Sequence, residues 1–264
     1  MTRGAPVPGE GAPAWRPAWC PAWRSAWRIE RFTEIGSTSD ICAERARAGE
    51  PDGLVLLAAM QTAGRGRSGR AWASPVGNLY MSVLLRPACP AVQGGQFALL
   101  AGLSLAEALA ACWGEPRKIG LKWPNDVMIG SAKLAGVLLD ASVDATGMIE
   151  WLVMGFGANL VAAPALAGRP TIALADVAPP PLPEPVAQAL LDRLAFWRAD
   201  LARDGGAALR AAWLARAHVP GTSLSVDGGR LVGAFEGIDA EGSLLLRMPD
   251  GAVQRVRSGD VGLP

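Results

Sequence analysis

Seven residues, Gly64-Arg65-Gly66-Arg67-Ser68-Gly69-Arg70, set the tightest constraint on how this chain can fold. The glycines raise the entropic cost of ordering the backbone and the like-charged arginines repel one another. The segment therefore suits neither a helix interior nor a strand and must be a loop. Guanidinium forks grip carboxylate or phosphate, and glycine lets the backbone approach a ligand closely. We read the segment as an anion-binding loop, mobile until its anion arrives and folded over it afterwards. A solvated basic loop is the plain alternative. The apolar run at 53–60 that leads into the loop, and Trp72 just after it, favour the ligand.

Gly64, Gly66 and Gly69 spell G-x-G-x-x-G, yet the context rejects the familiar motifs that share it. A dinucleotide fingerprint needs a helix at once and an acid about twenty residues on. Here Pro75 stops any helix within a turn, and Cys89 stands near the acid's position. A Walker loop needs Lys then Ser or Thr after the last glycine, where the chain has Arg70-Ala71. A kinase loop wants a valine that Ala71 and Trp72 do not supply.

A chain of 264 residues has room for one sizeable core and a small second domain. Its formal charge of +1 implies no polyanionic partner, so any electrostatic function is local. Cys20, Cys42, Cys89 and Cys112 lack C-x-x-C spacing and read as small apolar residues of a reducing compartment. His218 is the sole histidine, which argues against a Ser-His-Asp or Cys-His nucleophile and against a His-based metal site. It reads as structural. The most apolar window, 97–113, carries Gly102, Ser104 and Glu107 and falls short of the roughly 20 residues of a membrane span. A buried helix is expected there. Pro6, Pro8 and Pro13 stand where a signal peptide would place its apolar run, so a cytoplasmic protein is expected. Residues 13–28 repeat with a period of four around Trp15, Trp19, Trp23 and Trp27. Proline at every fourth position forbids a regular helix, and residues 1–29 are expected to be a low-complexity, disordered extension.

Further along, Ser37-Thr38-Ser39-Asp40 offers N-caps for a short helix at 41–48. Strands are expected at 53–60, 78–85 and 149–156, with a long helix at 97–113. Runs 121–129 and 133–141 read as hairpin partners around Gly130-Ser131. Proline and alanine dominate 164–185, which reads as loop, and helices follow at 185–201 and 207–217. After Pro220, four short β-like runs alternate with Asp227-Gly228-Gly229, Asp239-Ala240-Glu241-Gly242 and Pro249-Asp250-Gly251. That spacing predicts a small β-barrel at 219–264, appended to an α+β domain at 30–218.

Four segments recur here in a distinctive order. They are the run from Gln61 through the arginine loop to Trp72, Lys122-Trp123-Pro124-Asn125-Asp126, Lys133-Leu134-Ala135-Gly136, and Gly155-Phe156-Gly157-Ala158-Asn159. Together they resemble the biotin–protein ligases, the biotin–[acetyl-CoA-carboxylase] ligases, over roughly residues 30–264. The resemblance implies a mixed β-sheet flanked by helices, the biotin/lipoate ligase fold related to class II aminoacyl-tRNA synthetases, with a Src-homology-3-like barrel behind it. It also implies that Mg-ATP activates biotin to biotinoyl-5′-AMP, and that the biotinoyl group then passes to a lysine of a biotin carboxyl carrier domain. That first step forces two anions together and needs positioning and charge neutralisation rather than a protein nucleophile.

By the same resemblance, Arg65, Arg67 and Lys133 are the catalytic residues. Ser37, Thr38, Ser39, Gln61, Gly66 and Gly136 join them around biotin. Arg70, Trp72, Asn125 and Asn159, with Arg67 and Lys133, contact ATP or the adenylate, and Asp126 ligates Mg2+. Small polar residues in a dry pocket suit a ureido ring. Ser37 and Thr38 suit a helix cap equally well, and Asp126 a turn after Pro124. Family members usually have Asn where Ser39 stands, and many have an acid where Ala59 stands. A C-terminal basic residue that reaches ATP in some members has no clear match, and Arg255 or Arg257 is the available substitute. The partner implied is the carrier domain of acetyl-CoA carboxylase or a related carboxylase, with no specific DNA and no membrane, by a monomer or homodimer. A lipoate or octanoate ligase or transferase is the enzymatic rival, though these usually lack the arginine loop. A bifunctional ligase and repressor needs an N-terminal helix-turn-helix of about sixty residues, which the proline-broken extension does not match.

Overall fold

The computed structural model describes residues 27–115, 118–165 and 169–262. The repeat at 13–28 lies outside these residues except for Trp27 and Arg28, and so does Cys20. The chain begins with β1 (Arg28–Ile35), α1 (Thr38–Arg47), β2 (Leu54–Gln61) and β3 (Leu79–Leu85). There follow α2 (Gly94–Trp113), β4 (Ile119–Lys122), β5 (Asp126–Ile129), β6 (Ala132–Val143) and β7 (Ile149–Ala158). These strands build one mixed sheet in the order β1-β2-β3-β7-β6-β5-β4. Only β1 and β2 run parallel, with Arg28 opposite Leu54, and α1 makes the crossover that a parallel pair requires.

Leu54, Val55, Leu56 and Leu57 of β2 are all buried, as expected of a strand covered on both faces. On one face Val55 and Leu57 join β3's Leu79, Met81, Val83 and Leu85 beneath α2, α3 (Pro183–Asp204) and α4 (Ala207–Leu214). On the other, Leu54, Leu56, Leu84, Trp151 and Val153 pack on Cys42, Ala43 and Ala46 of α1. Helix α2 is as long and apolar as a membrane span, and most of it lies buried in the core. Burial of Cys42 among these side chains pushes its thiol up to about 12, so it behaves as a small hydrophobe.

The remaining strands, β8 (Ser223–Val226), β9 (Leu231–Ile238), β10 (Leu244–Arg247), β11 (Val253–Val256) and β12 (Val261–Gly262), form the antiparallel sheet of the small C-terminal unit. The sheet docks on the N-terminus of α2 without intervening side chains. A Cβ on Gly242 would stand 2.9 Å from the Gln96 backbone nitrogen. Trp123 Nε1 donates to the Gly242 carbonyl at 3.0 Å.

Three expectations need correction. Strand β1 begins at Arg28, inside the span assigned to the extension, and Trp27 packs against the core. The run 121–129 is not one strand. Pro124, which has no N–H to give a ladder, sits in a turn with a cis Trp123–Pro124 bond, and β4 and β5 form a hairpin pairing Lys122 with Asp126. Helix α1 starts at Thr38, earlier than expected, because Ser37 caps it by accepting from the Asp40 N–H at 3.3 Å.

Candidate active site

Beyond the N-terminus of α1 one face of the sheet is left bare, and Gly136 of β6 with Gly155 and Gly157 of β7 form the floor of a cavity of about 370 Å3. Absence of side chains there is required. A Cβ on Gly157 would stand 2.7 Å from Trp72 Cε2, and one on Gly136 would stand 2.9 Å from Lys133 Nζ. The Trp72 indole therefore rests directly on strand backbone, with the Lys133 ammonium 5.3 Å from its ring centre.

Apart from Arg255 and Arg257, every residue that the resemblance placed near biotin, ATP, the adenylate or Mg2+ lines this one cavity. Ser37, Thr38, Ser39, Gln61, Arg65, Gly66, Arg67, Arg70 and Trp72 come from α1, β2 and the arginine loop. Asn125, Asp126, Lys133, Gly136 and Asn159 come from the β4–β5 turn, β5, β6 and the end of β7.

At one end the cavity carries a hydrogen-bonded polar clamp. Gln61 Oε1 accepts from Thr38 N at 2.8 Å and from Thr38 Oγ1 at 3.0 Å. Gln61 Nε2 donates to Ser74 Oγ at 3.0 Å, which fixes the amide's orientation. Ser82 Oγ donates to Thr38 Oγ1 at 2.8 Å and lies 3.1 Å from Ser39 Oγ. Ser37 is the helix cap, and Thr38 and Ser39 as the first residues of α1 tie it to β2 and β3.

The arginine loop has internal hydrogen bonds despite its crowded charge. It closes as a hairpin in which Gly66 N donates to Arg70 O at 2.7 Å, Trp72 N donates to Gly64 O at 2.9 Å, and Arg65 bridges Ala71. Its tip turns through positive φ at Ser68 and Gly69. Carboxylates from three distant elements offset the repulsion. Arg65 meets Asp40 at 2.5 Å and Asp140 at 3.6 Å, and Arg70 meets Asp260 at 2.9 Å. Arg67 reaches Asn125 Oδ1 at 3.1 Å, the Gly259 carbonyl at 3.0 Å and Asp260 at 3.6 Å.

The opposite end is the charged one. Lys133 Nζ lies 2.5 Å from Asp126, which Lys122 also approaches at 3.3 Å, and the Lys133 and Asp126 side chains are 15% and 8% exposed. Two acceptor or donor atoms here are buried without a hydrogen-bond partner, Asn159 Oδ1 and Trp72 Nε1. Such atoms are costly to bury unpaired, and in a cavity they point to a ligand. Among the described residues no group of three or more His, Cys, Asp or Glu could hold a metal. Asp126, the carboxylate that the resemblance gives to Mg2+, has Oδ1 on Lys133 and Oδ2 on Lys122, so a Mg2+ arriving on phosphates would have to share it with two ammonium groups.

Several lining residues were not legible in the sequence. Asp260, from the loop before β12, takes Arg169 at 2.8 Å as well as Arg67 and Arg70. Burial alone would raise its carboxyl, but the bonds from Arg70 and Arg169 hold it below its ordinary value. Arg169 is placed by 170–172, which bonds to β6 through Lys133 N to Pro170 O and Ile172 N to Lys133 O. Neither Arg255 nor Arg257 lines the cavity, and Arg255 pairs with Asp239 at 2.8 Å instead. Ser82, which backs the clamp without lining the cavity, carried a weak signal, one small polar residue within the apolar run of β3. His218 packs edge-on to Phe235, away from the lining.

Comparison with known proteins agrees with this geometry. Residues 32–159 match the biotin/lipoate A/B protein ligase family, and residues 224–263 match the biotin protein ligase C-terminal domain. The chain is 38% identical over 209 residues to the biotin–[acetyl-CoA-carboxylase] ligase of Paracoccus denitrificans, covering 74% of this chain and 85% of that one. It is 35% identical to the enzyme of the same name from Mycobacterium tuberculosis, covering 88% of each. The biotin protein ligase of Aquifex aeolicus solved with biotin and ATP superposes with a TM-score of 0.75 at 26% identity, over 89% of this chain and 97% of that one. With both of its segments matched and its cavity lined by the motifs that led to it, the chain belongs to the biotin protein ligases of the biotin/lipoate A/B protein ligase family.

Proposed function

We propose that this ligase joins biotin to AMP at the expense of ATP and passes the biotinoyl group to one lysine of a biotin carboxyl carrier domain. In the first step a biotin carboxylate oxygen bonds to the α-phosphorus and pyrophosphate leaves. In the second a lysine amine attacks the acyl carbon, AMP leaves and the amine loses a proton. The observation that carries the reading is one cavity with a neutral polar clamp at one end and a cationic, amide-lined end at the other.

The clamp suits a ureido ring. Gln61 Nε2 keeps an N–H beyond the one given to Ser74, and Ser39 Oγ, whose proton goes to Ser82 because Ser82 donates to Thr38, offers lone pairs to the ring N–H groups. Arg65 and Arg67 enter between the two ends, where a carboxylate and the α-phosphate would meet. Lys133, held by Asp126 and backed by Trp72, neutralises charge on the oxygens that bridge both steps. Asn125 gives its Nδ2 to Val137 O at 2.5 Å and its Oδ1 to Arg67, so we assign it to positioning Arg67 as much as to touching phosphate. Asn159 Oδ1, an acceptor, calls for a donor on the nucleotide. Mg2+ on the phosphates, with Asp126, would spread the charge of the leaving pyrophosphate. We place the reaction in the cytoplasm, carried out by a monomer or homodimer without DNA or membrane partner.

Labelled biotin supplied with ATP and a biotin carboxyl carrier domain tests the reading directly. Label should enter the carrier only when ATP is present, with pyrophosphate released before the carrier is added. Preferential incorporation of lipoate or octanoate would overturn it.

A further inference from the structure

Three guanidiniums converge on one carboxylate at the cavity mouth. Asp260 Oδ2 takes Arg70 at 2.9 Å and Arg169 at 2.8 Å, and Asp260 Oδ1 lies 3.6 Å from Arg67. One negative charge thus faces three positive ones, and the cluster retains an excess that matches a multiply charged anion. Asp260 is not free to follow the arginines. Its backbone N–H donates to Asp227 Oδ1 at 2.8 Å, and its carbonyl accepts from Asp227 N at 2.8 Å. Gly259 beside it has φ of 151°, and a Cβ there would meet Val226 at 2.6 Å. The carboxylate is therefore presented by the small C-terminal sheet as a fixed prong.

We propose that Asp260 sits, in the nucleotide-free protein, on the seat of the nucleotide's pyrophosphate portion, that Arg169 is a phosphate-binding residue of that seat, and that incoming phosphates displace Asp260 from Arg70 and Arg169. The inference rests on the ATP-dependent reading above but concerns Asp260 and Arg169, which that reading does not use. Phosphate oxygens take bidentate guanidinium bonds as carboxylate oxygens do and carry more charge, so the exchange keeps the arginines paired throughout. An internal competitor lowers the apparent affinity of an anion by the fraction of time it occupies the seat. It also ties nucleotide occupancy to the contact between the arginine loop and the C-terminal sheet.

Calorimetric titration of the full chain with inorganic pyrophosphate, without biotin or ATP, tests the proposal. Asp260→Asn removes the competing charge and should tighten pyrophosphate binding about three- to tenfold. Arg169→Gln should weaken it several-fold. Equal or weaker binding by Asp260→Asn would show that Asp260 supports the arginines rather than competes for them, and would overturn the exchange. If Asp260→Asn does not fold, Arg169→Gln decides, and binding unchanged from wild type would refute the seat. Because neither biotin nor adenylate enters the titration, failure of the biotin reading would appear separately, as absence of label transfer.

Discussion

Replacement of Gly157 by alanine tests how closely Trp72 is held to the sheet. Gly157 lies in β7 outside the positive-φ region, so alanine meets no backbone strain. Its Cβ would stand 2.7, 2.8 and 2.9 Å from three atoms of the Trp72 indole. Ordinary carbon contact begins near 3.5 Å, so the ring must lift by about 0.8 Å. It would then leave its bed on Gly136 and its place beside Lys133. Overpacking of this kind costs about 1–3 kcal/mol, offset by about 0.4–1 kcal/mol from the stiffer unfolded chain. A net loss of about 0.5–2 kcal/mol lowers Tm by a few degrees in a protein of this size. The decisive assay is a double-mutant cycle by thermal melting. With Trp72→Ala already in place nothing remains to clash, so Gly157→Ala should become neutral or stabilising. Pyrophosphate release in a single turnover should fall with Gly157→Ala in the Trp72 background, because the displaced ring disturbs Lys133. An equal loss of Tm in both backgrounds would refute the contact as the cause.

Lys133→Met should slow adenylate formation by roughly 10²–10³ while changing biotin binding far less, measured by single-turnover pyrophosphate release against calorimetry. Gln61→Ala and Thr38→Val break the clamp and should raise the KM for biotin with ATP affinity in the absence of biotin nearly unchanged; a normal KM with reduced Tm would confine both residues to capping and packing. Burial first, and Lys122 second, lower the pKa of His218 below its ordinary 6.5. The folded state then takes up the proton less readily than the unfolded chain, so stability falls as pH drops below about 6.5 towards the folded value. As the sole histidine, it should give one imidazole NMR signal with a midpoint below 6.5, and His218→Gln should flatten the acid side of the stability curve.

Much of the cavity lining was legible because it is concentrated in short segments. The arginine loop presents runs of lining residues at 65–67 and 70–73, the Lys122–Asp126 turn presents Asn125 and Asp126, and the Lys133 segment presents Lys133 and Gly136. What stayed hidden is tertiary. Asp40, Asp140 and Asp260 stand in segments that share no motif with the loop they neutralise, so the repulsion within it was visible and its remedy was not. Strand β1, Arg-Ile-Glu-Arg-Phe-Thr-Glu-Ile, is a largely exposed edge rich in charge and lacks the apolar run that marks β2 and β3. The β4–β5 hairpin was masked because Leu121 and Trp123 continue an apolar texture up to Pro124.

One five-residue turn has a wider consequence. Within Lys122-Trp123-Pro124-Asn125-Asp126, the indole N–H bonds the C-terminal sheet, the amide bonds Arg67, and the carboxylate bonds Lys133. Consecutive residues cannot shift independently, since their separations are set by covalent geometry. The turn therefore acts as a rocker arm with three loads on one short pivot. A tilt of the C-terminal sheet would then pull on Trp123, and the expected consequence is that Arg67 and Lys133 shift as a pair rather than singly.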